Sequence, residues 1–466
     1  MVDTKITETR NPKERREIGK LIRDQVPLSS HGEWQPAPDR QDPVSLLQAQ
    51  DEGRVQQLLP IKYGRMLESP FAFFRGSAVL MAADLANTPV SGFEAVLCGD
   101  AHLSNFGVFA TPERKLVFDL NDFDEVYPGP WEWDIKRLAA SAVIAGRDNG
   151  FKEKDNRKLA RLVAQVYREA VNRFAKEPIL DVWYYHVEAE QVLELFDQYS
   201  KKGAKSTKKM LKKASTKTRE ATLEKLTEVV DDRRQIINDP PLLVRLSDML
   251  TEEQKNQIPE QHVEESWLEY ISSLPEERRL LLSRFRIADG ALRVGGVGSV
   301  GTRCTIMLLE GSAQKDAIIL QQKEAGPSVL EAYLPERGYT SHAERIVIGQ
   351  RLMQASSDIF LGWHKSQLSE RQYYWRQLKD MKGSVDITTL DEAGLGTYLA
   401  VCSLSLARAH ARTGDPAAIA GYLGKSKAFD KAIGRFAEAY ADQAERDYQA
   451  LVEAVDSGRI TAQTGI

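Results

Sequence analysis

An α+β protein of two lobes is the expectation, and three features of the chain lead to it. Apolar residues recur at helical spacing through 132–148 and about 153–290, with alanine, leucine and charged residues alternating around the turn. The texture then changes over 291–390, where glycines are followed by short β-branched runs. Helical spacing returns at 391–412 and about 426–455. The implied organisation is a helical part over 1–290, a small β-rich part over 291–390, and closing helices over 391–466.

The elements follow in order. Residues 1–60 are polar, and Pro27, Pro36, Pro38 and Pro43 interrupt any long helix. From Phe71 to about residue 86 an apolar stretch reads as a buried helix. Strand-like runs follow at 93–97, at Val108-Phe109 and at 115–118, the last two separated by the turn Thr111-Pro112-Glu113. In the β-rich part, runs 302–309 and 317–322 flank the turn Glu310-Gly311-Ser312, giving a three-stranded antiparallel reading with a glycine-rich first turn. One helix is expected at 341–356 and two further strands at 358–363 and 373–378. Within 391–412 the apolar positions Leu395, Tyr398, Leu399, Cys402, Leu406 and Ala409 fall on one helical stripe.

Composition narrows the function classes. The 466 residues carry a net charge of −4, which argues against a general nucleic-acid binder. No run of about 18 apolar residues occurs, so no membrane span is expected. The first residues lack the apolar core of a secretory signal. Cys98, Cys304 and Cys402 lie far apart and match neither a zinc spacing nor a disulfide framework. A reducing cytoplasm is the expected compartment. One local run, 201–219, holds nine basic residues and no acidic one, but it has no interleaved aromatics and reads as a solvated helix or loop.

Three constellations carry chemistry. The first is Cys98-Gly99-Asp100-Ala101-His102-Leu103-Ser104-Asn105, followed by a short hairpin and Asn121-Asp122-Phe123-Asp124. Phosphoryl transfer from a nucleotide needs a carboxylate to accept or orient the proton of the incoming hydroxyl, and oxygen ligands for magnesium. Asp100 suits the first role, while Asn105, Asp122 and Asp124 suit the second, with Asp119 as an alternative. The bland alternative is a polar loop with Asx turns. The second is Gly295-Gly296-Val297-Gly298-Ser299-Val300-Gly301. It lacks the Lys-Ser/Thr of a Walker loop and is followed by a strand-like run, not a helix, so neither that loop nor a dinucleotide fingerprint fits. A glycine turn between antiparallel strands remains, with Gly296, Gly298, Ser299 and Gly301 able to lie over phosphates. The third is Lys323, 22 residues after Gly301 at the end of a strand, within reach of nucleotide phosphates under that turn. A partner acid for Lys323 is expected from Glu331 or Glu344. Arg75 is a candidate phosphate clamp or a structural ion pair, and His102 and His410 read as buried supports.

Together these motifs resemble the protein-kinase-like fold. Small-molecule kinases of the aminoglycoside and choline type carry H-G-D-x-H-x-x-N and then I-D-F-x-D; this chain has C-G-D-A-H-L-S-N and N-D-F-D-E, with Cys98 in place of the histidine. In that group a further Asp, about a dozen residues on, supports the catalytic loop, and Asp134 lies 12 after Asp122. The glycine turn and lysine follow the catalytic loop here instead of preceding it. The order is that of a circularly permuted kinase-like fold, which nearby chain termini make physically accessible. The chain also closely resembles, over nearly its full length, a bacterial family catalogued as domain of unknown function 2252, through Ser69-Pro70-Phe71-Ala72-Phe73-Phe74-Arg75-Gly76, the Cys98–Asn105 loop, Gly298-Ser299-Val300-Gly301-Thr302-Arg303 and Leu406-Ala407-Arg408-Ala409-His410-Ala411-Arg412. The kinase resemblance implies an ATP- and Mg²⁺-dependent phosphotransferase acting on a small-molecule or protein hydroxyl. A silent nucleotide sensor and a nucleotidyl transferase would use the same groups.

Overall fold

The computed structural model describes residues 11–231, 233–249, 260–295, 300–313, 316–367, 369–378 and 381–465. Its largest sheet holds the strands β8 (Leu243–Arg245), β9 (Arg286–Arg293), β10 (Cys304–Glu310), β11 (Ala317–Ala325), β12 (Gly362–Lys365) and β13 (Gln372–Gln377). They are antiparallel, in the order β12-β13-β11-β10-β9-β8. Side-chain alternation explains why the centre of this sheet is stable. Ile306, Leu308 and Ile319 point to one face and pack with Leu223 and Ile236. Leu309, Ile318 and Leu320 point to the other and pack with Tyr270, Leu274 and Leu282. Full burial of each such side chain contributes about 1.5–3 kcal/mol. Both faces are thus covered, one by the hairpin β6 (Thr227–Val230)–β7 (Arg233–Ile236) and the helix Arg219–Leu226, the other by the helices Glu260–Ser272 and Glu276–Leu282.

The expected three-stranded reading is therefore too small. β8 and most of β9 lie upstream of residue 291, inside the stretch read as helical. The strands β6 to β8 are short and charged, with Glu228, Arg233, Arg234 and Arg245 among so few residues that no alternation stands out. The helix His342–Met353 and strand β13 fall where expected, while β12 begins at Gly362, later than 358.

Long helices form the remaining body: Glu132–Asp148, Glu153–Phe174, Glu392–Thr413 and Ala428–Asp456. The six stripe residues of Glu392–Thr413 are all fully buried. The helix is buried on nearly every other side too, because it runs through the body between Glu153–Phe174 and the β-elements. Asp391 caps it, its Oδ1 accepting from the Gly394 N–H at 2.8 Å. The apolar stretch from Phe71 is two helices, Pro70–Gly76 and Ala78–Leu85, not one. The basic run forms the helix Lys201–Ser215, which buries Gly203, Ala204, Thr207, Met210 and Ala214 and leaves its lysines exposed. No described helix is long and apolar enough to cross a membrane.

Against this body lie β1 (Glu94–Leu97), paired with β4 (Tyr127–Pro130), and the hairpin of β2 (Phe106–Ala110) and β3 (Leu116–Leu120), to which β5 (Val187–Glu188) adds. The end of β1 and the end of β3 meet at the face turned toward β11.

Candidate active site

The loop after β1 is built from the backbone outward. The N–H groups of Cys98 and Gly99 donate to the two oxygens of Asp134 at 2.7 and 3.0 Å. Gly99 has φ +79°, and a Cβ there would lie 2.2 Å from the Glu125 carbonyl oxygen, so only glycine fits. His410 Nε2 stands 3.2 Å from Asp134 Oδ2, and its Nδ1 meets the Tyr167 hydroxyl at 2.8 Å. Asp134 therefore anchors the loop, and His410 is a buried support, as expected. Cys98 is a neutral thiol, its pKa pushed well up by burial and by Asp134, and its Sγ–H donates to the Asp122 carbonyl at 3.4 Å. That contact ties the loop to the residues after β3.

This loop presents Asp100 to a cavity. Arg137 grips Asp100 Oδ1 through Nε, at 2.5 Å, and through Nη2. Arg137 also donates to the Phe74 carbonyl at 2.9 Å and stacks on the Phe74 ring. Asp100 Oδ2 has His102 Nε2 at 3.5 Å. Burial raises the Asp100 pKa, and Arg137, Arg75 and Asn105 only partly oppose it. An oriented carboxylate with a raised pKa is suited to accept a proton. His102 accepts from the Ser104 N–H through Nδ1 at 3.1 Å; burial and the arginines Arg137 and Arg75 keep it neutral. Asn105 spends its Nδ2 on the Asp100 carbonyl at 2.7 Å, which leaves its oxygen for a cation.

After β3, Asp122 and Asp124 face the same cavity as Lys323 of β11. Lys323 Nζ lies 2.5 Å from Asp124 Oδ2, and the Tyr374 hydroxyl donates to Asp124 Oδ1 at 2.7 Å. Lys323 and Tyr374 are paired across β11 and β13, which is why both reach one carboxylate. Burial favours a neutral lysine, yet Asp124, Tyr374 and Asp122 hold Lys323 charged, well above its ordinary pKa. Asp124 is lowered despite burial because Lys323 and Tyr374 stabilise its charge, whereas burial and the charge of Asp124 raise Asp122. Two further cations border this end. Arg376 donates to Gln321 at 3.0 Å, and half-buried Lys382 is pushed down to about 7 by loss of water and by the Arg376 charge.

Asp100, Asn105, Asp122, Asp124 and Lys323 thus line one cavity of about 680 Å³, a volume ordinary for a small-molecule site. Gly296, Gly298 and Ser299 lie outside the described residues. Gly301 is described, with φ +88°, and does not line the cavity, whereas Gly295 does. The ends of the glycine turn are held by early residues: Arg65 donates to the Gly295 carbonyl, and Arg54 to that of Val300 at 2.7 Å.

Two expectations need correction. Neither Glu331 nor Glu344 pairs with Lys323. Glu331 faces Arg345 at 3.2 Å and Glu344 accepts from Thr340 at 2.8 Å, so Asp124 takes the role. Asp124, also expected as a metal ligand, accepts one bond on each oxygen, from Lys323 and from Tyr374. Asp119 is removed from the metal candidates, since Arg408 and the Ala355 N–H hold it in the interior. Asp122 is left as the carboxylate with no cation bonded to it among the described residues. Among those residues no three His, Cys, Asp or Glu side chains converge as a cage. Magnesium carried by nucleotide phosphates needs only one or two protein oxygens, so Asp122 and Asn105 fit it.

Arg137, Tyr374, Arg376 and Lys382 escaped the sequence reading. Only Arg137 left a signal, as an arginine inside a helix buried from Glu132 to Gly146, where a charge demands a partner.

Neither the curated proteins nor the solved structures gave a match to the chain. A family model does match it, over residues 54–454, and that span takes in every described residue of this site; the chain belongs to the family of uncharacterised proteins conserved in bacteria known as DUF2252.

Proposed function

We propose that this protein is an ATP- and Mg²⁺-dependent phosphotransferase acting on a hydroxyl acceptor, built as a circularly permuted kinase-like fold. One observation carries the reading: residues almost 200 positions apart in the chain bring an oriented carboxylate, a second carboxylate with no bonded cation, an amide oxygen and a buried charged lysine into a single cavity. Structural ion pairs alone would not require a carboxylate left without a cation at that place.

In this reading Lys323, with Arg376 and Lys382 beside it, binds the nucleotide's phosphates. Magnesium, when bound through Asp122 and the Asn105 oxygen, neutralises phosphate charge. Asp100 Oδ2 receives the proton of the acceptor's hydroxyl as the hydroxyl oxygen bonds to the γ-phosphorus. The bond from phosphorus to the β,γ-bridging oxygen breaks, and ADP leaves with its electron pair. Arg137 holds Asp100 in position throughout. The three cysteines are free and buried, which is compatible with a cytoplasmic setting.

The test is incubation with γ- or α-labelled ATP and Mg²⁺ in the presence of a bacterial extract. Label transferred from the γ position alone supports the proposal. Label from the α position assigns nucleotidyl transfer instead, and nucleotide binding without transfer of either assigns a sensor.

A further inference from the structure

Arg75 stands on the short helix Pro70–Gly76, where Phe71, Phe73 and Phe74 are buried. Those three rings fix the helix against the body and leave Arg75 to line the cavity. Its neighbour Arg137 is fully committed, to Asp100 and to the Phe74 carbonyl. Arg75 is not. Its Nε is shut away from water with no acceptor, and among the described residues Asp100 and Glu68 influence it only through space. A half-buried guanidinium without a bonded acid is costly unless a ligand completes it.

Two groups of charges stand out in the cavity, with Glu125 interacting with both Asp100 and Asp124. Asp122 and Asp124 interact with Lys323 and Arg376, and Asp122 also with Lys382. Asp100 interacts with Arg137, Arg75 and Asn105. The first group is the phosphate end. The second surrounds the carboxylate that receives the acceptor's proton, where His102 is neutral and Arg75 is the cation with no bonded acid.

Resting on the phosphotransferase reading, we infer that the acceptor is itself an anion, with a carboxylate or phosphate group close to the hydroxyl that is phosphorylated, and that Arg75 is the residue that holds that group. A planar guanidinium matches either oxyanion in a two-point grip. The anion is placed beside Asp100 and away from Lys323, so it anchors the acceptor without competing for the nucleotide.

The test is calorimetric titration of the full chain with sn-glycerol 3-phosphate, D-glycerate and glycerol, with and without bound Mg²⁺ and the non-hydrolysable analogue AMP-PNP. Wild type should bind both anions in competition with each other and not bind glycerol. Arg75→Gln should weaken both anions about tenfold or more, Arg75→Lys should restore part of the affinity, and both should hold AMP-PNP as wild type does. The inference is overturned if wild type binds neither anion, if glycerol binds equally well, or if Arg75→Gln leaves anion binding unchanged. It is also overturned if that variant loses affinity for AMP-PNP but not ADP, since Arg75 would then serve the γ-phosphate. Absence of all nucleotide binding would remove the phosphotransferase reading instead, and the nucleotide-free titration would still decide what Arg75 binds. Should Arg75→Gln fail to fold, wild-type Arg75 should be protected from phenylglyoxal by inorganic phosphate, read by mass spectrometry, and lack of protection would overturn the inference.

Discussion

Replacing Lys323 with methionine keeps an unbranched side chain one atom shorter and removes its charge. In the wild type Nζ is 2.5 Å from Asp124 Oδ2, with the lysine side chain 5% and the aspartate 31% exposed. Removing one member of a buried pair costs about 3–5 kcal/mol, since the remaining charge is stranded. Asp124 keeps the Tyr374 hydroxyl and the field of Arg376, so the lower end, about 3 kcal/mol, is expected near pH 7.5. The deficit should depend on pH. Lys323 holds the folded-state pKa of Asp124 below its ordinary 3.8, so the wild-type contribution is present above that value and lost as pH falls through the depressed one. Without Lys323, burial is opposed only by Tyr374 and Arg376, so the folded pKa of Asp124 rises. The variant then carries a penalty at neutral pH that shrinks as acid neutralises the carboxylate. Denaturant melts at about pH 7.5 and pH 5 should therefore show the gap between the proteins closing in acid. Adding Mg²⁺-ATP at about 100 times its Kd should stabilise wild type by about 2.7 kcal/mol and the variant by much less. Equal stability of the two proteins at neutral pH, or equal stabilisation by nucleotide, would refute the reasoning for the ion pair or for the phosphate contact, respectively.

Asp122→Asn should separate stability from function. It removes a charge that burial and the neighbouring Asp124 disfavour, so the nucleotide-free protein should melt no lower than wild type, while Mg²⁺-dependent nucleotide binding falls; a lower melt with intact binding would count against it. Asp100→Asn should leave nucleotide binding intact and cut turnover by about 10²–10⁴-fold in a label-transfer assay. Asp134→Asn turns an amide NH2 toward a backbone N–H that in the wild type donates to carboxylate, costing about 1–3 kcal/mol in a denaturant melt and loosening Asp100. Gly99→Ala forces a Cβ to within 2.2 Å of a carbonyl at positive φ, so it should abolish turnover or folding, and an active, stable variant would show that the loop's path is wrong.

Much of the site is legible in the sequence because its parts are local. The run Cys98–Asn105 and the residues Asn121–Asp124 are each a few positions long and flank short apolar, strand-like runs. Asp134 is placed by its distance from Asp122, and Lys323 by its position at a strand end. The helix Glu392–Thr413 follows from the spacing of Leu395 to Ala409, since periodicity reports which side of an element must leave water.

Partnership across the chain is not legible there. Asp124 meets Lys323 199 residues away, Asp119 meets Arg408 289 away, and Asp100 meets Arg137 only because a buried helix passes behind its loop. Asp119, Asp122 and Asp124 look alike as letters. Packing gives the first an interior arginine, leaves the second without a bonded cation, and closes the third on a lysine and a tyrosine. A carboxylate's role depends on which cation and how much water reach it, and both are set by elements distant in sequence. The same holds for β8 and β9, whose strand character comes from pairing with each other and with β10 and not from a pattern of their own.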